Sequence, residues 1–199
     1  MRPYRKGTMF PRLKDGRYPN LPEELTFLHA EKILDMCPDL PRKQRGTMVR
    51  QEYPAISIIG IGWPLKDGYP HENRAADYDD WVTHTNKETG KPTHGLNSDI
   101  LVWNHVTKRR HELISMGIRV TAEILNLQSE MAHRLNLMKL QYQQGILTDR
   151  IPLSIGGGIG QSRTLMLLLR KAHLSKVSMM VWPKILMEIC AKRNIFVLE

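Results

Sequence analysis

Four glycines in five positions, Gly156, Gly157, Gly158 and Gly160 of "GGGIGQSR", are followed at once by Arg163 and by an apolar run, "TLMLLL". A strand without side chains lets a planar group lie directly on the backbone, and an arginine at the start of the next helix can hold a phosphate or cover the other face of a base. Two better-known glycine-rich patterns do not apply. No Gly-Lys-Ser/Thr follows, as a P-loop requires, and the dinucleotide fingerprint lacks its third glycine and an early βαβ unit around it. The residue types and their spacing suggest an ATP site on a flat strand, with tight packing of helix on sheet as the plainer alternative.

Such a site needs elements to position it. "LTFLHA" reads as a short strand, and the helical pieces after it break at Pro38 and Pro41, because proline removes an amide donor and clashes inside a helix. "AISIIGIG" at 55–62 reads as a buried strand in which Gly60 and Gly62 mark close packing on one face. Residues 63–98 turn polar and read as a long functional loop. "DILVWN" and "ELISMGIRV", joined by the basic turn "KRRH", predict an antiparallel hairpin. Residues 121–144 predict one amphipathic helix capped by Thr121, its stripe of Leu127, Met131, Leu135, Met138 and Tyr142 facing a core. A buried helix is expected from Gln161, a strand at 177–183 ("VSMMVWP"), and a closing helix from Pro183 through Ala191.

The chain has 199 residues, 41% hydrophobic and 25% charged, which suits one globular domain with its own core. Cys37 and Cys190 lack the spacing of a metal site or disulfide framework and read as reduced thiols of a cytoplasmic protein. No stretch has the pattern of a signal peptide or a membrane span. The net charge of +9 favours anionic partners, and residues 1–20 alone hold six Lys or Arg against one acid. An RNA-binding module is one such reading, but no RNA motif is present and aromatic residues make up only 7%.

Four blocks in order, "RAADYDDW" at 74–81, "HGLNSDILVWN" at 94–104, "HELISMGIRV" at 111–120 and "GGGIGQSR" at 156–163, resemble the ammonia-dependent asparagine synthetases, or aspartate-ammonia ligases. These are relatives of the class II aminoacyl-tRNA synthetase catalytic domains. The resemblance runs through residues 21–199, with "LPEELTFLHAEKILDMCPDL" and "VWPKIL" included. It implies an α+β fold in which a six-stranded antiparallel sheet is flanked by helices. It also implies ATP, Mg²⁺, L-aspartate and ammonia as ligands: the side-chain carboxyl is adenylated, and ammonia then displaces AMP.

The resemblance also implies roles residue by residue. Asp99 and Glu112, expected to face each other on the hairpin, would hold Mg²⁺. Gly156, Gly157, Gly158, Gly160 and Arg163 would take ATP. Arg119 and Ser115 match active-site positions, and Asp79 matches a substrate-site acid, with Asp77 and Asp80 less securely placed. Only the C-terminal part of the family pattern is expected here, N-terminally truncated, since the dimer-forming part and other substrate contacts have no match in residues 1–20. "MRPYRK" offers only a weak counterpart, Arg2, for an arginine of the missing part. The expectation is therefore a fragment, one half of a split enzyme with a separate N-terminal half, or a non-catalytic nucleotide-binding remnant, and a lone chain that makes no asparagine.

Overall fold

The computed structural model describes residues 21–22, 24–85 and 93–198; the basic segment 1–20, Arg2 included, lies outside the described residues. One sheet has the order β1 (Thr26–His29), β2 (Ala55–Ile59), β3 (Asn97–Asn104), β4 (Arg109–Ile118) and β5 (Ile155–Ile159). The expected six antiparallel strands are thus five among the described residues, and β1 runs parallel to β2 while the other pairs are antiparallel. The parallel pair follows from the connection. Two helices, α1 (Ala30–Met36) and α2 (Arg42–Glu52), carry the chain back across the sheet, as a parallel crossover requires.

Alternation along the strands sorts the side chains. Ile56 and Ile58 of β2 and Leu101 of β3 are buried against Ile33 and Leu34 of α1 and Val49 of α2, together with Ile61 and Leu65. Each such side chain contributes about 1.5–3 kcal/mol by leaving water. On the opposite face Ala55 and Val102, which are register partners, pack on Leu167 of α5 (Gln161–Leu168). The rest of that face is open: Phe27, Ile118 and Ile155 are exposed around an apolar groove of about 410 Å³. Among the described residues no helix is long and apolar enough to cross a membrane.

Two expectations fail. The single helix over 121–144 is α3 (Ala122–Met131), a 3₁₀ turn (Leu135–Lys139) and α4 (Gln141–Leu147), because His133 adopts a left-handed φ of 53°. Thr121 does cap α3 through Oγ1, but Leu127, Met131, Leu135 and Tyr142 are exposed, and of the predicted stripe only Met138 packs on the small core of Val120, Leu125 and Ile146. The spacing was helical, but it spans a break in the helix, so the apolar residues do not share one face. Residues 177–183 form no strand, and Val181 is fully exposed. α6 (Lys184–Lys192) follows Pro183 as expected.

The α1 crossover begins at His29. Its Nδ1 accepts from the Glu31 amide at 3.2 Å, so the proton sits on Nε2, which faces the His94 carbonyl at 3.2 Å. Gly60, with φ +75°, leaves the ring its space: a Cβ there would stand 2.1 Å from Nε2. Burial lowers the His29 pKa below the ordinary 6.5. Because the folded pKa is depressed, the contribution of the neutral cap is fully present above the ordinary 6.5 and is lost as pH falls from there through the lower folded pKa, when Nδ1 gains a proton. Losing the cap should cost about 1 kcal/mol, or roughly 2–4 °C in a domain of this size. Thermal melts at pH 7.5 and pH 5 should show a larger acid decrement for the native chain than for His29→Asn, which keeps a cap acceptor that does not titrate. Equal decrements would exclude His29 as the source.

Candidate active site

β4 carries a bulge. Ile100 pairs with Ile114, but the next residue, Leu101, pairs with Glu112, so Leu113 has no partner. Glu112 and Ser115 are an odd number of residues apart and would point to opposite faces of a regular strand; the extra residue returns Glu112 to the face of Ser115 and Asp99. Asp99 pairs across the hairpin with Ser115 rather than with Glu112, which corrects the expected cross-strand pair of acids. The two carboxylates still meet, and Glu72 joins them from the loop: one oxygen of each of Glu72, Asp99 and Glu112 lies within 4.8 Å of the others. Three hard oxygen donors at this spacing fit Mg²⁺ in kind, with room for water or phosphate oxygens to complete its shell.

Each of these acids is held by an arginine. Arg74 donates from Nη2 to Asp99 and from Nη1 to Ser115 Oγ at 3.2 Å. Arg110 pairs with Glu72. Arg163, in the first turn of α5, donates from Nη1 to the Glu112 carboxylate at 3.0 Å and to its backbone carbonyl at 3.2 Å. Burial opposes the charged form of Glu72, but the hydrogen bond and charge of Arg110 outweigh it and hold its pKa below the ordinary value. His71, beside Glu72, is buried with neither ring nitrogen hydrogen-bonded, and burial lowers its pKa to about 4, so the ring is neutral.

A fourth pair, Asp79 with Arg119, closes the other end of the site. Asp79 is 4% exposed, and Arg119 also stacks over the Tyr78 ring at 3.8 Å and donates to its hydroxyl at 3.1 Å. The loop bearing Asp79 docks on the end of β4: the Asp80 amide donates to Ile118 and the Val120 amide to Tyr78. Gln128 of α3, fully buried, clamps the loop, accepting from the Trp81 amide at 2.7 Å and donating to the carbonyls of Ala76 and Asp79. The neighbouring acids are used elsewhere. Asp80 caps its own turn through Val82 and Thr83, and Asp77 accepts from Gln143.

The glycines divide by what lies next to them. A Cβ on Gly156 would stand 2.6 Å from Arg119 Nη2, and one on Gly117, its partner across the strands, would stand 2.7 Å from the Asp79 carboxyl. Both glycines therefore make room for the Arg119–Asp79 pair. Gly157 faces the other way, against Met116, and a Cβ on Gly160 would meet only ordinary contacts. Above Gly158, opposite Ser115, there is open space.

Asp79, Asp99, Glu112, Ser115, Arg119, Arg163 and the glycine strand are thus gathered at one sheet face and its edge. Sequence reasoning missed Glu72, Arg74, Arg110 and Gln128. Arg74 opens the block "RAADYDDW" and Glu72 lies two residues before it, so the charges of "HENR" in a glycine- and proline-rich loop were the available signal. Gln128 gave none, being one polar residue inside a helix.

A family model for aspartate-ammonia ligase matches residues 8–194. Among solved structures, asparaginyl-tRNA synthetase from Entamoeba histolytica in complex with asparaginyl-adenylate is similar at a TM-score of 0.52 and 16% identity, over 79% of this chain and 35% of that one. Aspartyl-tRNA synthetase from the same organism gives 0.51 and 14%, over 78% and 31%. Asparaginyl-tRNA synthetase from Pyrococcus horikoshii, complexed with asparaginyl-adenylate, gives 0.50 and 13%, over 78% and 34%. These likenesses show the fold alone, α+β and like that of class II tRNA synthetases, and this chain spans about a third of the length of each. The family match takes in the Asp79 loop, the bulged hairpin and the glycine strand, and the chain belongs to the aspartate-ammonia ligase family.

Proposed function

We propose that this chain carries the nucleotide and carboxylate-activating side of an aspartate-ammonia ligase. In that reaction the side-chain carboxyl of L-aspartate attacks the α-phosphate of ATP and releases pyrophosphate, and ammonia then displaces AMP to leave L-asparagine. The observation that carries the reading is the gathering of arginines and carboxylates next to the bare strand at Gly158.

An aspartate carboxylate is a poor electrophile, and the mixed anhydride with AMP gives ammonia a good leaving group to expel. Neither step requires a protein nucleophile. Both require fixed geometry and positive charge where phosphate charge accumulates. Arg163 and Arg74 are the groups to receive phosphate oxygens, and the space over Gly158 suits a flat purine. Arg119 offers its planar fork to the substrate carboxylate, with Ser115 Oγ as a further donor, and Asp79 is the acid to accept from an ammonium group. Mg²⁺ at Glu72, Asp99 and Glu112 would supply a Lewis acid that offsets phosphate charge.

Calorimetry tests the nucleotide side. Mg–ATP affinity should fall about tenfold in Arg163→Ala, the loss of one charge-assisted phosphate contact. Equal affinities, or no binding by the native chain, would sink the site. The acids should show a metal signature: Asp99→Asn and Glu112→Gln weaken Mg–ATP while metal-free ATP binding changes much less. Equal losses with and without Mg²⁺ would point to a folding defect. For the substrate side, a non-hydrolysable β-aspartyl-adenylate analogue should bind about tenfold more weakly to Arg119→Gln than to the native chain, with ATP binding affected less. A reversed order would remove Arg119 from the aspartate subsite.

A further inference from the structure

Among the described residues the cluster has no spare carboxylate. Glu72, Asp99 and Glu112 are matched one to one by Arg110, Arg74 and Arg163, so the group is neutral as it stands. A divalent cation binding alone would add two uncompensated charges and would stand against the guanidinium already paired with each carboxylate it used. Asp99 is only 4% exposed, so its arginine could not be replaced there by bulk water at little cost. Triphosphate changes the balance by offering the released arginines new oxygens. One donor already lacks an acceptor: Arg74 Nε is buried without a hydrogen-bond partner while Nη1 and Nη2 are engaged.

We infer that Arg74 and Arg163 are internal counterions of the metal ligands, exchanged in one event: the cation enters on the carboxylates only as phosphate oxygens take the two arginines over. This rests on the Mg–ATP reading above and adds that the site selects the metal–nucleotide complex against the free cation. The same arginine therefore opposes the metal when nucleotide is absent and favours it when nucleotide is present. Its removal has effects of opposite sign in the two cases.

Mn²⁺, followed by electron paramagnetic resonance, is the probe. Arg163→Gln should raise the affinity for Mn²⁺ alone by about threefold, the size expected for freeing a partly exposed carboxylate from its pair. In the same variant the affinity for Mn–ATP should fall about tenfold. Arg74→Gln should show the same two directions, with the larger gain for Mn²⁺ alone because its pair is more buried. Arg163 is half-exposed, so its variant keeps the test valid if Arg74→Gln fails to fold, which thermal melts would reveal. If the native chain binds no Mn–ATP, the nucleotide reading itself falls. If the native chain binds Mn–ATP but Mn²⁺ alone binds Arg163→Gln no better than the native chain, the exchange is overturned and the nucleotide reading stands.

Discussion

Glu112 reaches the site because β4 contains one residue too many. The bulge at Leu113 turns the strand so that Glu112, Ser115 and Asp99 share a face, and without it the acid would point to the side where Ala55, Val102 and Leu167 pack. A charged side chain there would lose its water with no cation to compensate. Leu113, the unpaired residue, is partly buried against that same apolar group, so the irregularity is anchored by burial on one face while it presents an acid on the other. The Gly160 amide bonds to the Leu113 carbonyl at 2.7 Å, which also fixes where β5 ends and α5, with Arg163, begins. One backbone feature thus positions an acid and the arginine that meets it.

The electrostatics follow from that placement. Carboxylates brought within 4.8 Å of one another repel. Here an arginine fills each gap. A planar guanidinium can satisfy a carboxylate and a second acceptor at once through separate nitrogens, as Arg74 does with Asp99 and Ser115. Lysine, a compact and strongly hydrated point charge, would not bridge the two acceptors of Arg74 in the same way. The choice of arginine there is tied to geometry as much as to charge.

Much of this was legible in the sequence. The hairpin, the α1 and α2 break at prolines, the Thr121 cap and the start of α5 all rest on local chemistry that tertiary contacts do not override. The parts that were not legible depend on pairing. Register is set by both strands together: the turn places Leu101, not the expected Asp99, opposite Glu112, and the bulge, which moves the partner of Asp99 from Ile114 to Ser115, has no residue signature in "HELIS". The break at His133 depends on one backbone angle, and "VSMMVWP" has strand-forming residues but pairs with no strand among the described residues. Glu72 and Arg74 sit in a loop whose course no periodicity encodes.

The glycine strand joins these points. Four glycines in five positions first suggested a surface kept bare for one flat ligand, yet the neighbours show two different reasons. At Gly156 the space is taken by Arg119, and across the ladder Gly117 makes room for Asp79, so part of the bareness serves a buried ion pair of the protein itself. Two residues further along, on the same face, Gly158 has nothing over it. The occupied end lies next to the clamped Asp79 loop, and the open end runs toward Arg163 and the bulge. A single β-strand therefore has a fixed polar end and a free flat end about 7 Å apart, the span of two strand residues, and the proposed reading gives the first to the carboxylate and the second to the purine.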